Sequence, residues 1–143
     1  MRKTNEVKRF ARWCFSTLGL RPISIRLIYY PSLVDPEGNY CFGCYTYSEE
    51  GCGKDGKIHL AMQLPKLNVL LNTAHEIWHH YQNVSGVIGK MTLEECEREA
   101  EEESGKLLGM WLRREGYTAI EDESGVSKKD KRLRGGRKND CVE

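Results

Sequence analysis

Residues 75–79 read His-Glu-Ile-Trp-His, a pattern that makes one particular use of an α-helix. Residues four apart on a helix lie about 40° apart around its axis, so His75 and His79 project from one face, one turn apart. Two imidazoles held that way can both reach one zinc ion at roughly 2.0–2.1 Å. Glu76 lies about 100° round from His75, too far to complete the ligand set but well placed to flank the ion. From there a carboxylate can take a proton from a water that the ion activates. The spacing arises by accident in on the order of one per cent of shuffled sequences of this His and Glu content, so the residues around it have to make the helix.

They do. With His75 at zero on a helical wheel, Leu67, Leu70, Leu71, Ala74, Ile77, Trp78 and Tyr81 fall on one broad arc beside the histidines. His75 and His79 sit at the edge of that arc, where a core-packed helix meets a cleft. Pro65 can be accommodated in the first turn and sets the start near Leu64. His80 points away from the arc and is expected in solvent. The bland alternative is a buried helix carrying two incidental histidines.

Two histidines and a water leave one ligand to find. The metzincin extension would need Gly at position 82 and His at 85, where this chain has Gln82 and Ser85, so that class is excluded. A second helix begins at Thr92, with Thr92 as N-cap and Glu95 at N3 of a capping box, and runs to about Arg114 with Gly116 just past its end. Centred on Glu97, the residues within about 60° include Leu93, Ala100, Glu101, Ser104, Leu108, Trp111 and Leu112. Glu95, Glu99 and Glu102 turn to solvent. A charge on an apolar stripe needs a partner. Glu97 is therefore the expected third zinc ligand, and Glu101 the carboxylate that accepts the distal N–H of a ligand imidazole. A plain solvated charged face is the alternative for both.

His75-Glu76-x-x-His79 followed by Glu97-x-x-Ala100-Glu101 on a second helix resembles the gluzincin branch of the zincin metallopeptidases. In length the chain is similar to their compact single-domain forms, the minigluzincins, and the match is strongest over roughly residues 57 to 112. The resemblance implies a sheet edge bordering the cleft, at the strand carrying Ile58, His59, Leu60 and Ala61. An edge strand has N–H and C=O groups with which an extended peptide can pair. His59 otherwise reads as a half-exposed strand histidine. Such families commonly have Asp where this chain has Glu101. They also use a carbonyl-stabilising His or Tyr, for which Tyr117, Tyr45, Tyr47 and His59 are candidates.

The rest of the chain frames that site. At 143 residues it is long enough to bury a core without staples, and residues 1–120 are expected to form one zincin-like domain. A first helix is expected over Thr4 to Leu18, with Val7, Phe10, Ala11, Cys14 and Leu18 on one face and Gly19 as its stop. Ile23–Tyr30, Tyr40–Ser48 and Lys57–Met62 read as strands. The expected class is α+β, a small, mainly antiparallel sheet packed on the helices. A net charge of +1 implies neither nucleic acid nor membrane. With no signal-peptide h-region and no apolar run of spanning length, the cytoplasm is the expected compartment.

Cys41-x-x-Cys44 with Cys52 beyond leaves three outcomes open: free thiols, a disulfide, or a zinc knuckle completed by His59, Cys14 or Cys141. Residues 121–143 form a tail nearly devoid of apolar side chains, basic between Ser127 and Asn139, a composition expected to stay disordered. The tail is either simply solvated or loosely attracted to nucleic acid or an acidic partner. The expected function is zinc-dependent hydrolysis of peptide bonds in a peptide or protein substrate. Its rival is a zincin-fold binding or regulatory protein with a structural zinc, the tail contacting nucleic acid.

Overall fold

A computed structural model describes residues 2–29, 37–39, 41–48 and 56–116. Within them lie α1 (Arg2–Thr17), β1 (Ser24–Ile28), β2 (Gly43–Thr46), β3 (Lys57–Ala61), α2 (Lys66–Val84) and α3 (Leu93–Arg114). The class is α+β, three helices against one small sheet. Cys52, Tyr117 and the whole basic tail lie outside the described residues, as do positions 49–55 between β2 and β3.

The helix limits follow local chemistry. The capping box opens α3: Glu95 N–H donates to Thr92 Oγ1 at 3.1 Å, and Thr92 N–H donates to Glu95 Oε1 at 2.8 Å. Gly116, at φ +91°, ends it in the left-handed conformation that glycine adopts without strain. Pro65 is the N-cap of α2, one position outside the first turn. Just before it, Lys3 Nζ donates to the carbonyls of Met62 and Leu64, both at 2.8 Å. One cation thus closes two backbone acceptors at the sheet-to-helix junction.

The sheet departs from the expected pattern. Its order is β1-β3-β2, with β1 parallel and β2 antiparallel to β3. It is mixed, not mainly antiparallel, and β3 is its middle strand, not an edge. Ala61 N–H donates to Phe42 O and Met62 N–H to Ile28 O, so the backbone of β3 is spent on both neighbours. Alternation is clear in β3, where Ile58 and Leu60 are buried between more exposed neighbours; it carries no information on the order of strands in space.

Ile58 and Leu60 of β3 are fully buried in the core with Leu70, Ala74 and Ile77 of α2 and Leu107, Leu108, Trp111 and Leu112 of α3. Fully burying each such aliphatic side chain stabilises the fold by about 1.5–3 kcal/mol. The α1 helix closes the core with Val7, Phe10, Ala11, Cys14 and Phe15. Phe10, Trp13 and Trp111 form an aromatic cluster with centroids 5.4–6.0 Å apart, and Arg9 ties α1 to the end of α3 through Glu115 at 3.0 Å.

The α2 helix is therefore enclosed from several sides, and His80 is buried with it, not solvated. The Tyr45 hydroxyl lies 2.7 Å from His80 Nδ1 and accepts from Asn83 Nδ2 at 2.9 Å. Burial holds the His80 pKa below its ordinary value. A Cβ on Gly56 would stand 2.6 Å from the Tyr45 ring and hydroxyl, so glycine there is what lets Tyr45 reach α2.

Candidate metal centre

Where α2 passes α3, three polar side chains converge. His75 Nε2 lies 3.1 Å from Glu97 Oε1, His79 Nε2 lies 3.0 Å from Glu97 Oε2, and the two Nε2 atoms are 3.2 Å apart. Both histidines are buried. A tetrahedral ion with bonds of about 2.0–2.1 Å keeps its ligands roughly 3.3–3.4 Å from one another. The three groups thus stand close to the separation that one small ion requires. This His-His-Glu group could hold a metal ion; among the described residues it is the one such cluster.

The electrostatics fit a cation. Burial lowers the pKa of His79, but its hydrogen bond to Glu97, the charges of Glu76 and Glu97 and its bond to Gln82 outweigh that and lift it to about 9. Without a metal, a proton on His79 fills the positive role between the carboxylates.

Glu76 is buried beside the cluster. Opposite it runs β2, where a Cβ on Gly43 would come within 3.0 Å of Glu76 Oε2 and 3.1 Å of its Cγ. The absence of a side chain at Gly43 is what admits the carboxylate. Since β2 lies at the edge of the described sheet, the strand bordering the metal group is β2. That corrects the assignment to β3, whose Ile58 and Leu60 face the core and whose His59 and Ala61 lie on the opposite face. His59 pairs in register with Arg26 and Cys44, and burial together with Arg26 and Lys57 lowers its pKa.

A cavity of about 420 Å³ opens against His79, lined also by Thr46 at the end of β2 and Tyr47 just after it, and by Ile88, Met91, Leu93 and Cys96 around the α2–α3 connection. Tyr45 borders it too, but its hydroxyl is engaged with His80 and Asn83.

Two readings of the glutamate helix change. Glu101, expected on the buried stripe, is exposed; at His79 the ring nitrogen away from the cluster faces Gln82 Oε1 at 2.8 Å. Glu99, expected in solvent, is half-buried: its Oε1 accepts from Trp78 Nε1 at 2.8 Å and from Gln82 Nε2 at 2.9 Å. The wheel centred on Glu97 treats α3 as having one buried stripe. In the structure a second flank, carrying Cys96 and Glu99, lies along the last turns of α2. Gln82, three residues beyond His79 on the same helix, carried a spacing signal that could have been read. Gly43 carried none.

Cys14, Cys41, Cys44 and Cys96 are thiols, not half-cystines, and burial pushes the Cys14 pKa far up. Cys52, the third thiol of the expected knuckle, lies outside the described residues.

Compared with family models, curated proteins and solved structures, the chain matches none. No helix among the described residues is long and apolar enough to cross a membrane.

Proposed function

We propose that this chain is a zinc metallopeptidase of gluzincin type on a zincin-like fold, with His75, His79 and Glu97 as ligands and Glu76 as general base. One observation carries the reading: His75 Nε2 and His79 Nε2 lie 3.2 Å apart and each meets one oxygen of Glu97, at 3.1 and 3.0 Å, with a second, buried carboxylate, Glu76, beside them. Burying that many ionisable groups together is costly unless a charge compensates them. A bound zinc would supply that charge, polarise a scissile carbonyl and acidify a water.

The chain's own residues supply the rest. Glu76, held against Gly43, takes the proton of the attacking water and delivers it to the leaving nitrogen. The β2 edge offers backbone for an extended peptide to pair with, in place of the edge expected at Ile58–Ala61. The cavity beside His79 receives a substrate side chain, and Tyr47, exposed and lining it, is the tyrosine within reach of that path.

Glu76→Gln separates chemistry from metal binding, because the amide keeps the size of the carboxylate and cannot take the proton. We expect Glu76→Gln to retain zinc, measured by metal analysis, while hydrolysis of an unfolded protein such as casein falls by about 10²–10⁴-fold. Wild-type turnover should stop on chelation. A zinc-loaded wild type that cleaves nothing on a broad peptide panel would instead favour a binding protein with a structural zinc.

A further inference from the structure

The geometry points to Gln82 and Glu99 as positioning residues that fix which nitrogen of His79 faces the metal. The inference rests on the metal-site reading above and concerns how that site is kept ready to bind.

The chain of contacts runs from α3 to the ligand. Gln82 is fully buried. Its Nε2 donates to two groups that can only accept, the Cys96 carbonyl at 3.1 Å and Glu99 Oε1 at 2.9 Å. An amide with its ends exchanged would aim its oxygen at those two acceptors, a repulsive arrangement in a buried site. Chemistry therefore decides the orientation of the amide, with Oε1 turned to His79 Nδ1 at 2.8 Å. An amide oxygen only accepts, so Nδ1 must carry the proton of the neutral imidazole. The lone pair is left on Nε2, the atom that meets His75 and Glu97.

Glu99 holds the far end of this chain. Trp78 Nε1 donates to the same Oε1 that accepts from Gln82, so the carboxylate is fixed by two donors from α2. The last turns of α2, the flank of α3 and the metal ligand are thereby locked to one another. A neutral amide stands directly behind the imidazole and the negative charge one residue further out. On its Nδ1 side His79 is thus oriented by a neutral amide.

The test needs a measure of the site besides turnover. Zinc affinity, from competition with a chromophoric chelator, is compared for wild type, Gln82→Met and Glu99→Gln. Folding is followed by circular dichroism, and ¹⁵N shifts of the imidazoles are read in the zinc-loaded wild type. Gln82→Met keeps the length and removes the acceptor. We expect its zinc dissociation constant to rise about 10–100-fold, the usual effect of losing a partner behind a ligand. Glu99→Gln, which no longer forces the Gln82 amide one way from its side, should lose several-fold. In the loaded wild type, His79 should carry its proton on Nδ1 and zinc on Nε2. Zinc on Nδ1 of His79, or wild-type affinity in a folded Gln82→Met, would overturn the inference. If Gln82→Met does not fold, the wild-type ¹⁵N assignment and Glu99→Gln decide it. A wild type that binds no zinc, or binds it undiminished by His75→Ala, would instead remove the metal-site reading itself.

Discussion

Gly43 and Glu76 show how much of the site depends on single residues. No turn or positive φ demands glycine at position 43; the space it leaves does, since an added Cβ would stand 3.0 Å from Glu76 Oε2 and 3.1 Å from Cγ. Gly43→Ala must push the carboxylate aside by a few tenths of an ångström. Misplacing a proton-transfer group by 1 Å can cost about 10²-fold. We expect a loss of about tenfold in kcat with zinc content unchanged, read by peptide hydrolysis and metal analysis on the same preparation. Wild-type kcat in this variant would mean that Glu76 needs no such placement. At the ligands themselves, His75→Ala, His79→Ala and Glu97→Ala should each lose most bound zinc, whereas Glu101→Ala, changed at an exposed position, should keep it. Retention of zinc by Glu97→Ala would show the wrong carboxylate has been chosen.

Among the elements, α3 carries the most tasks. It supplies Glu97 to the metal group, Glu99 to the Gln82 contact, and Leu107, Leu108, Trp111 and Leu112 to the core. Its first turn is exposed and is held by the capping box. Thr92→Ala removes the acceptor for Glu95 N–H, and loss of such a cap costs about 1 kcal/mol. In a chain of 143 residues that lowers Tm by roughly 3–4 °C, which calorimetry can resolve. An unchanged Tm would mean that packing alone holds the first turn. The β3 strand shows the opposite case. Its sequence reads as a half-buried strand whether it is an edge or a centre, and only its pairing with both β1 and β2 makes it the middle strand.

For the whole molecule, the proposed zinc site makes folding and metal binding one equilibrium. A ligand that binds only the folded chain adds about 4 kcal/mol at a thousandfold excess over its Kd, so zinc should raise Tm clearly. The effect depends on pH with a definite sign. In the metal-free chain the His79 pKa is raised from 6.5 to about 9. The stability this gives is fully present below about pH 6.5 and is lost as pH rises through about 9. Zinc must displace the proton on Nε2 of His79, so the increment it adds should grow over that same window. Scanning calorimetry from pH 6 to 9.5, with zinc and with chelator, measures both. Parallel curves would show that His79 does not exchange a proton for the metal. Removing residues after Asp122 should change neither curve, because that segment is too polar to join a core.

The sequence by itself determined the parts of this protein that are local. The period of the residues around His75, the capping box at Thr92 and the apolar face of α1 each follow from interactions a few residues apart. So does the projection of His75 and His79 from one face of α2, because helical geometry fixes side-chain direction along one element. What lies between elements was decided by tertiary structure. The order β1-β3-β2, the burial of His80 under Tyr45, the exposure of Glu101 and the capture of Glu99 by Trp78 and Gln82 all depend on where a second element comes to rest. A helical wheel knows the direction of a residue but not its neighbour. The Gly43–Glu76 approach lies furthest from reach, since it depends on space left empty between a strand and a helix more than thirty residues apart in the chain.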